Sequence, residues 1–152
     1  MKLHWGSKDG GPESKVWVWG LESKRIGSLL LLKVGEVSRE AFHTHAFHSI
    51  SLVLKGGLEE LVLQTVYPNG GFDTETVYYR AGDVVKTLKS RFHQVFGRDE
   101  ENWVLTLRGP WSQFWTEYQP EDARFFQFTT GRKVTLIAGW DGTTLSTESE
   151  LC

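Results

Sequence analysis

The sequence predicts an all-β domain, a sandwich, jelly roll or barrel. Many short segments rich in β-branched, leucine and aromatic residues recur at strand length, Gly-rich turns separate them, and no segment carries an amphipathic helix of three turns. The length of 152 residues matches one compact domain, and 39% hydrophobic with 24% charged residues is the make-up of a folded chain rather than a disordered one.

Taken in order, Gly6 to Ser14 mixes glycines and proline with small polar residues, so residues 1–15 read as a flexible N-terminal arm. Strands follow at Val16 to Trp19, Gly27 to Val34, His48 to Lys55 and Leu58 to Val66. The run Leu29 to Leu32 has helical propensity, but Gly27 and Gly35 bound it too closely for a packed helix. Further strands are expected at Thr74 to Arg80, Asp83 to Leu88, Phe92 to Phe96, Trp103 to Arg108, Gln113 to Tyr118, Phe125 to Phe128 and Lys133 to Ala138. Gly56-Gly57 suits a tight hairpin, Pro68 to Gly71 a longer connection, Ala81 to Asp83 a turn and Gly109-Pro110 a break. The barrel domain thus runs over 16–140, and the polar, acidic stretch 141–152 reads as a frayed tail.

A formal charge of −2 gives no electrostatic reason to expect nucleic acid or an anionic membrane as partner. The single cysteine, Cys152, excludes an intrachain disulfide, and no run approaches the length of a membrane span, so the expected location is the cytoplasm. Trp17 and Trp19 share one strand face without the basic residues a nucleic-acid groove needs. An exposed pair of this kind favours a homodimer through the N-terminal strands. Glu59 and Glu60 read as a solvated strand end.

Chemistry is concentrated in the histidines. In an extended chain His43 and His45 project from the same face, at a spacing that suits two ligands of one metal. A third nitrogen has to come from another strand, and His93 is placed to deliver it. His48 is a fourth ligand, a proton relay or a polar residue at the rim.

The stretch His43 to Gly56 resembles the first motif of the cupin superfamily, HxHxxxE followed after six residues by glycine, and Gly82 to His93 resembles the second, with its histidine eleven residues after the glycine. Several identities differ: Ser49 stands where the family carries a metal-binding glutamate, Leu88 replaces the proline, Ser90 the glycine and Gly97 the asparagine that often follows the histidine. A looser resemblance, through Tyr79-Arg80-Ala81-Gly82 and Trp103 to Pro110, is to small bacterial and phage cupins, where an aspartate often occupies the place of His48. The resemblance implies a single-domain jelly-roll β-barrel with a divalent metal held by His43, His45 and His93.

A three-histidine site without the glutamate resembles that of cupin dioxygenases, which implies iron(II), with zinc, nickel or manganese as alternatives. The +2 charge left uncompensated by three neutral ligands favours a small anionic, chelating substrate. Strand alternation turns Ser49, Ser51 and Val53 inward with the metal. Arg108 and Arg91 are candidates for the substrate anion, Arg91 being the readier to form an ion pair, and Trp103, Trp115 and Tyr79 are candidates for the pocket wall. The expected function is therefore a metal-dependent, dioxygenase-like enzyme. Its rivals are a redox-neutral isomerase or lyase at the same metal, and a non-catalytic cupin that binds a sugar or another small ligand.

Overall fold

The computed structural model describes residues 1–9, 14–36, 41–67, 69–129 and 134–139. They form β1 (Lys2–Lys8), β2 (Val16–Ser23), β3 (Gly27–Val34), β4 (Phe42–His43), β5 (Ser49–Lys55), β6 (Gly57–Val66) and β7 (Phe72–Arg80). After these come β8 (Val84–Thr87), β9 (His93–Gly97), β10 (Asn102–Arg108), β11 (Phe114–Gln119), β12 (Arg124–Thr129) and β13 (Val134–Gly139). The fold is all-β, as its sequence pattern predicts. The tail at 141–152 with Cys152, residues 10–13 of the expected arm, and Pro68 lie outside the described residues.

Two antiparallel sheets face one another as a jelly roll. One runs β1-β2-β3-β10-β5-β8, the other β13-β12-β11-β4-β9-β6-β7, and no strand pair among the described residues bonds one to the other. The inner face of the six-stranded sheet changes character along its strands. One cross-strand row, Val18-Leu32-Val104-Val53, is apolar and belongs to the dry end with Val16, Val34, Val85 and Leu58. The next row holds Leu30, Thr106, Ser51 and Val85, and the one beyond it Ser28, Arg108, Ser49 and Thr87. A site with chemistry to perform belongs at that polar end, because buried polar groups persist only where they find partners.

The outer face of the same sheet is apolar. Leu3, Leu21, Leu29, Leu107 and Ile50 lie side by side across five strands, and Lys86 on β8 completes the row. A second row runs Trp5-Trp19-Leu31-Leu105-Leu52-Val84. These are the odd partners of the inward rows, as the period-2 alternation of a strand demands.

Two local readings of the sequence are corrected. Lys2–Lys8, expected within a loose arm, forms an edge strand on β2: His4 points inward to Glu22 (3.0 Å) and Ser7 (2.7 Å), while Leu3 and Trp5 point outward. Gly6, which reads as a loop residue, sits at positive φ (65°) where the register shifts between Trp5 and Ser7, so it marks a bulge within the strand. Gly56-Gly57 is not a hairpin either, since β5 and β6 belong to different sheets and the two glycines carry the chain across. A Cβ on Gly56 (φ 73°) would lie 2.3 Å from the Glu101 carbonyl oxygen, so only glycine fits this crossing.

Asn102 locks the crossing. Its side chain is 1% exposed; Oδ1 accepts from the Gly57 and Asp99 N–H groups, and Nδ2 donates to the Val34 and Asp99 carbonyls. Gly97 clears the space, because a Cβ there would fall 2.2 Å from Asn102 Nδ2. Replacing Asn102 by alanine strands several buried backbone groups, and we expect a loss of roughly 3 kcal/mol in urea unfolding at unchanged m. A loss under about 0.5 kcal/mol would remove Asn102 from this role.

Candidate metal centre

His43 closes β4, a two-residue strand wedged between β9 and β11. In register it stands directly opposite His93 of β9, so a single strand pairing sets two imidazoles side by side on the inner face. His45 lies just past the strand, on a segment braced from both sides. The Thr44 N–H donates to the Thr116 carbonyl and Thr44 Oγ1 accepts from the Thr116 N–H, each at 2.8 Å, and the Ala46 carbonyl accepts from Ser112 Oγ at 2.8 Å.

The three rings form a near-equilateral triangle with centroid separations of 5.0, 5.1 and 5.1 Å. One nitrogen from each lies within 4.8 Å of the others, and His45 Nε2 and His93 Nε2 are 2.8 Å apart. Two nitrogen ligands bound at right angles to one ion at about 2.1 Å are separated by roughly 3.0 Å, so this pair already has the spacing of neighbouring ligands. The second nitrogens are engaged behind the triangle: His43 Nδ1 donates to the Ala41 carbonyl at 3.2 Å, and His93 Nδ1 donates to Glu60 Oε1 at 2.5 Å. Both bonds put the ring proton on Nδ1 and leave the Nε2 lone pair to face the centre, as in histidines that bind metal.

Glu60 is the residue the sequence reading missed. Expected as a solvated strand end, it is 2% exposed and lies on the inner face of β6, opposite Val95 of β9. Its second oxygen accepts from Tyr79 Oη (2.8 Å) and from Arg91 Nη2 (2.9 Å). Burial by itself would raise this carboxyl, but the His93 hydrogen bond and charge, joined by Tyr79 and Arg91, outweigh it and hold Glu60 below the usual carboxylate range. Burial, then the Glu60 hydrogen bond and charge, pushes the Tyr79 hydroxyl up to about 12, so it stays a donor. Two adjacent glutamates in a strand must face opposite ways; the available signal was the alternation Leu58-Glu60-Val62, read without knowing the partner strand. Glu59, on the opposite face, lies 3.9 Å from Arg98. Glu117 of β11, also not singled out from sequence, is the register partner of His43, yet lies outside the three-nitrogen group.

The remaining expected residues are scattered. His48 is exposed and its Nδ1 accepts from the Lys89 N–H at 3.3 Å, away from the triangle. Ser51 faces inward and shares a hydrogen bond with Thr106 at 2.9 Å, and Ser49 sits beside Arg108 in the polar row. Arg108 is buried, but its Nη2 pairs with Asp9 at 2.5 Å and its guanidinium lies 4.7 Å from the Phe47 ring centroid. Arg91 is held by Glu60. Both cations considered for an anionic substrate are therefore ion-paired within the protein through Nη2, while Nε of each is buried without a hydrogen-bond partner among the described residues.

Of the aromatic candidates, Trp103 lies on the outer face against Trp19, and Tyr79 serves Glu60. Trp115 belongs to a chain of rings that starts at the site. Phe47 stacks on His45 (5.1 Å), Trp111 packs on Phe47 (5.4 Å), and Trp115 and Phe128 continue it. The Trp111 indole N–H is buried without a hydrogen-bond partner among the described residues.

Glu60→Gln keeps the size of the side chain but loses the charge that holds the proton on His93 Nδ1. We expect metal affinity to fall by about 10- to 100-fold by chelator competition, with Tyr79→Phe falling less. Equal affinity in the Glu60→Gln protein would show that the carboxylate serves packing alone.

No family model matches this chain, and no curated protein does. Solved structures do match. A sugar phosphate isomerase of the cupin superfamily from Silicibacter pomeroyi superposes with a TM-score of 0.53 at 14% identity, over 87% of this chain and 81% of that one. A proposed sugar phosphate isomerase from Acidithiobacillus ferrooxidans gives 0.56 at 14% identity, over 87% and 82%. An oxalate oxidase in complex with glycolate gives 0.51 at 15% identity, over 72% of this chain and 59% of that one. At such identities the likeness carries the architecture and leaves the reaction open. Facing sheets, strand order and these superpositions together establish that the chain has the fold of the cupin superfamily.

Proposed function

We propose that this protein is a metal-dependent enzyme of small-molecule metabolism. In this reading His43, His45 and His93 bind one divalent ion, iron(II) in the first instance, and the reaction consumes dioxygen. The observation that carries the reading is the convergence of three ring nitrogens within 4.8 Å, two of them set by hydrogen bonds behind the rings. When bound, such an ion supplies Lewis acidity and open coordination positions for a chelating substrate and for dioxygen.

The chain's own residues prepare the site. Glu60 keeps the proton on His93 Nδ1 and contributes negative charge at the edge of the site, which Arg91 partly offsets. Phe47 fixes the plane of His45, and Arg108, pinned by Asp9, backs Phe47 from behind. With Nη2 of both arginines already paired to a carboxylate, the ion carries the larger part of the binding of an anionic group. The rings of Phe47, Trp111 and Trp115 suit a flat apolar body, with the Trp111 N–H and Arg108 Nε, both buried without a hydrogen-bond partner among the described residues, as donors beside them. A small chelating acid or enol with an apolar or aromatic body fits these surroundings better than a phosphorylated sugar, whose dianion needs free cations. Ser49 and Ser51 are assigned to ordering water or substrate hydroxyls at the polar end of the cavity.

The test is elemental analysis of protein prepared without a polyhistidine tag, paired with oxygen-electrode measurements on a panel of small chelating acids and diketones. We expect close to one metal per chain, and loss of both metal and oxygen uptake in His45→Ala. Oxygen uptake that survives removal of the metal would overturn the reading. Turnover without oxygen consumption would replace it with redox-neutral chemistry at the same three histidines.

A further inference from the structure

We propose that Ser7, His4 and Glu22 form a second catalytic site, with Ser7 as nucleophile, His4 as its general base and Glu22 as the carboxylate that positions the base, and that this site hydrolyses small carboxylic esters. It is independent of the chemistry assigned to His43, His45 and His93. His4 is a buried histidine that the metal centre leaves unused. It is 7% exposed on the inner face of β1, and each ring nitrogen meets one polar side chain: Nδ1 lies 2.7 Å from Ser7 Oγ, and Nε2 lies 3.0 Å from Glu22 Oε2. A carboxylate only accepts, so the proton of the neutral ring sits on Nε2, and the Nδ1 lone pair accepts from the Ser7 hydroxyl. A hydroxyl on a base that a third group orients is the arrangement of an activated nucleophile.

Two glycines bring the three side chains together. Residues 4 and 7 of a regular strand point to opposite faces. The bulge at Gly6 (φ 65°) inserts one residue between Trp5 and Ser7, so that His4, opposite Gly20, and Ser7, opposite Val18, share the inner face. Gly20 clears the second contact: with no side chain opposite it, the His4 ring crosses to Glu22, two residues along β2 on the same face.

The surroundings admit a substrate. Ser7 is half-buried and β1 is the edge of its sheet among the described residues, so an ester reaches the hydroxyl from the open side, where the N–H groups that β1 does not give to β2 are available to an oxyanion. Beneath Ser7 the row continues through buried Val18 and through Leu32, which packs on the core, and this leaves room for a short acyl group only. Ser7 Oγ bonds to the carbonyl carbon as its proton moves to His4 Nδ1, and Glu22, 13% exposed, balances the imidazolium charge. The carbon–oxygen bond to the alcohol then breaks, and the alcohol leaves with that proton. Water gives a proton to Nδ1 and adds its oxygen to the acyl carbon; the acid departs, and Ser7 regains its hydrogen from Nδ1.

The test uses the full chain with two probes, a fluorophosphonate and p-nitrophenyl acetate, each with and without a metal chelator. We expect the phosphonyl group at Ser7 by peptide mass spectrometry, and release of p-nitrophenol that chelation leaves unchanged. Ser7→Ala should lose the label and lower hydrolysis at least about 100-fold at unchanged far-UV circular dichroism. Glu22→Gln should lower kcat by about tenfold or more at constant KM, a split that a merely structural carboxylate would not produce. Should His4→Gln loosen β1, Ser7→Cys keeps the pair, and its thiol should react with iodoacetamide at least about tenfold faster than Cys152. A folded wild-type protein that takes no label at Ser7 would overturn the proposal, as would hydrolysis equal in wild type and Ser7→Ala. Hydrolysis that disappears with the metal would also overturn it and place the ester chemistry at the three histidines.

Discussion

A carboxylate buried in the body of the protein is the constraint on which the site depends. Glu60 has almost no contact with solvent, and a lone charge in that position would cost several kcal/mol or take up a proton. It remains ionised because His93, Tyr79 and Arg91 all donate to it, from β9, β7 and the turn before β9. These bonds tie three neighbouring stretches of the seven-stranded sheet together and fix the direction in which His93 points. The His93 nitrogen then meets those of His43 and His45 because β4, only two residues long, pairs with β9 at that single position. The convergence of the three rings is a by-product of strand register.

The six-stranded sheet supplies the other half of the design by presenting different surfaces on its two sides and at its two ends. Inside, valines and leucines close the dry end, and Thr106, Ser51, Ser28 and Arg108 form the polar end. The Asp9–Arg108–Phe47–His45 chain of contacts joins that polar end to the histidines. Outside, apolar residues take every place but one in the two rows, Lys86 being the exception. Inner polarity and outer apolarity follow from one another. In a strand of fixed composition, placing serines inward to line the polar end leaves the leucines facing out.

Much of the architecture was legible from local pattern. Gly27–Val34 is a strand with the bounds that its flanking glycines suggest, and Ser49, Ser51 and Val53 point inward as alternation requires. The HxH spacing and the distance from Gly82 to His93 picked out the three histidines that the fold brings together. What was misread depended on partners far along the chain. Arg108 looked free because Asp9 is 99 residues away, and Trp103 looked like a pocket wall because its face is set by pairing with β3. Gly56-Gly57 has the composition of a hairpin, and only the assignment of β5 and β6 to different sheets makes it a crossing.

The sequence by itself determined the strand content, the period-2 sorting of side chains and which three histidines converge, because these rest on residue type and short spacing. Tertiary structure alone decided which of Glu59 and Glu60 would be buried, which cations would be neutralised, and which face of the leucine-rich strands would be left bare. The physical reason is that a strand's own chain fixes only the alternation of its side chains. Which side becomes the inside is set by the neighbour it bonds to, and that neighbour comes from any distance along the chain.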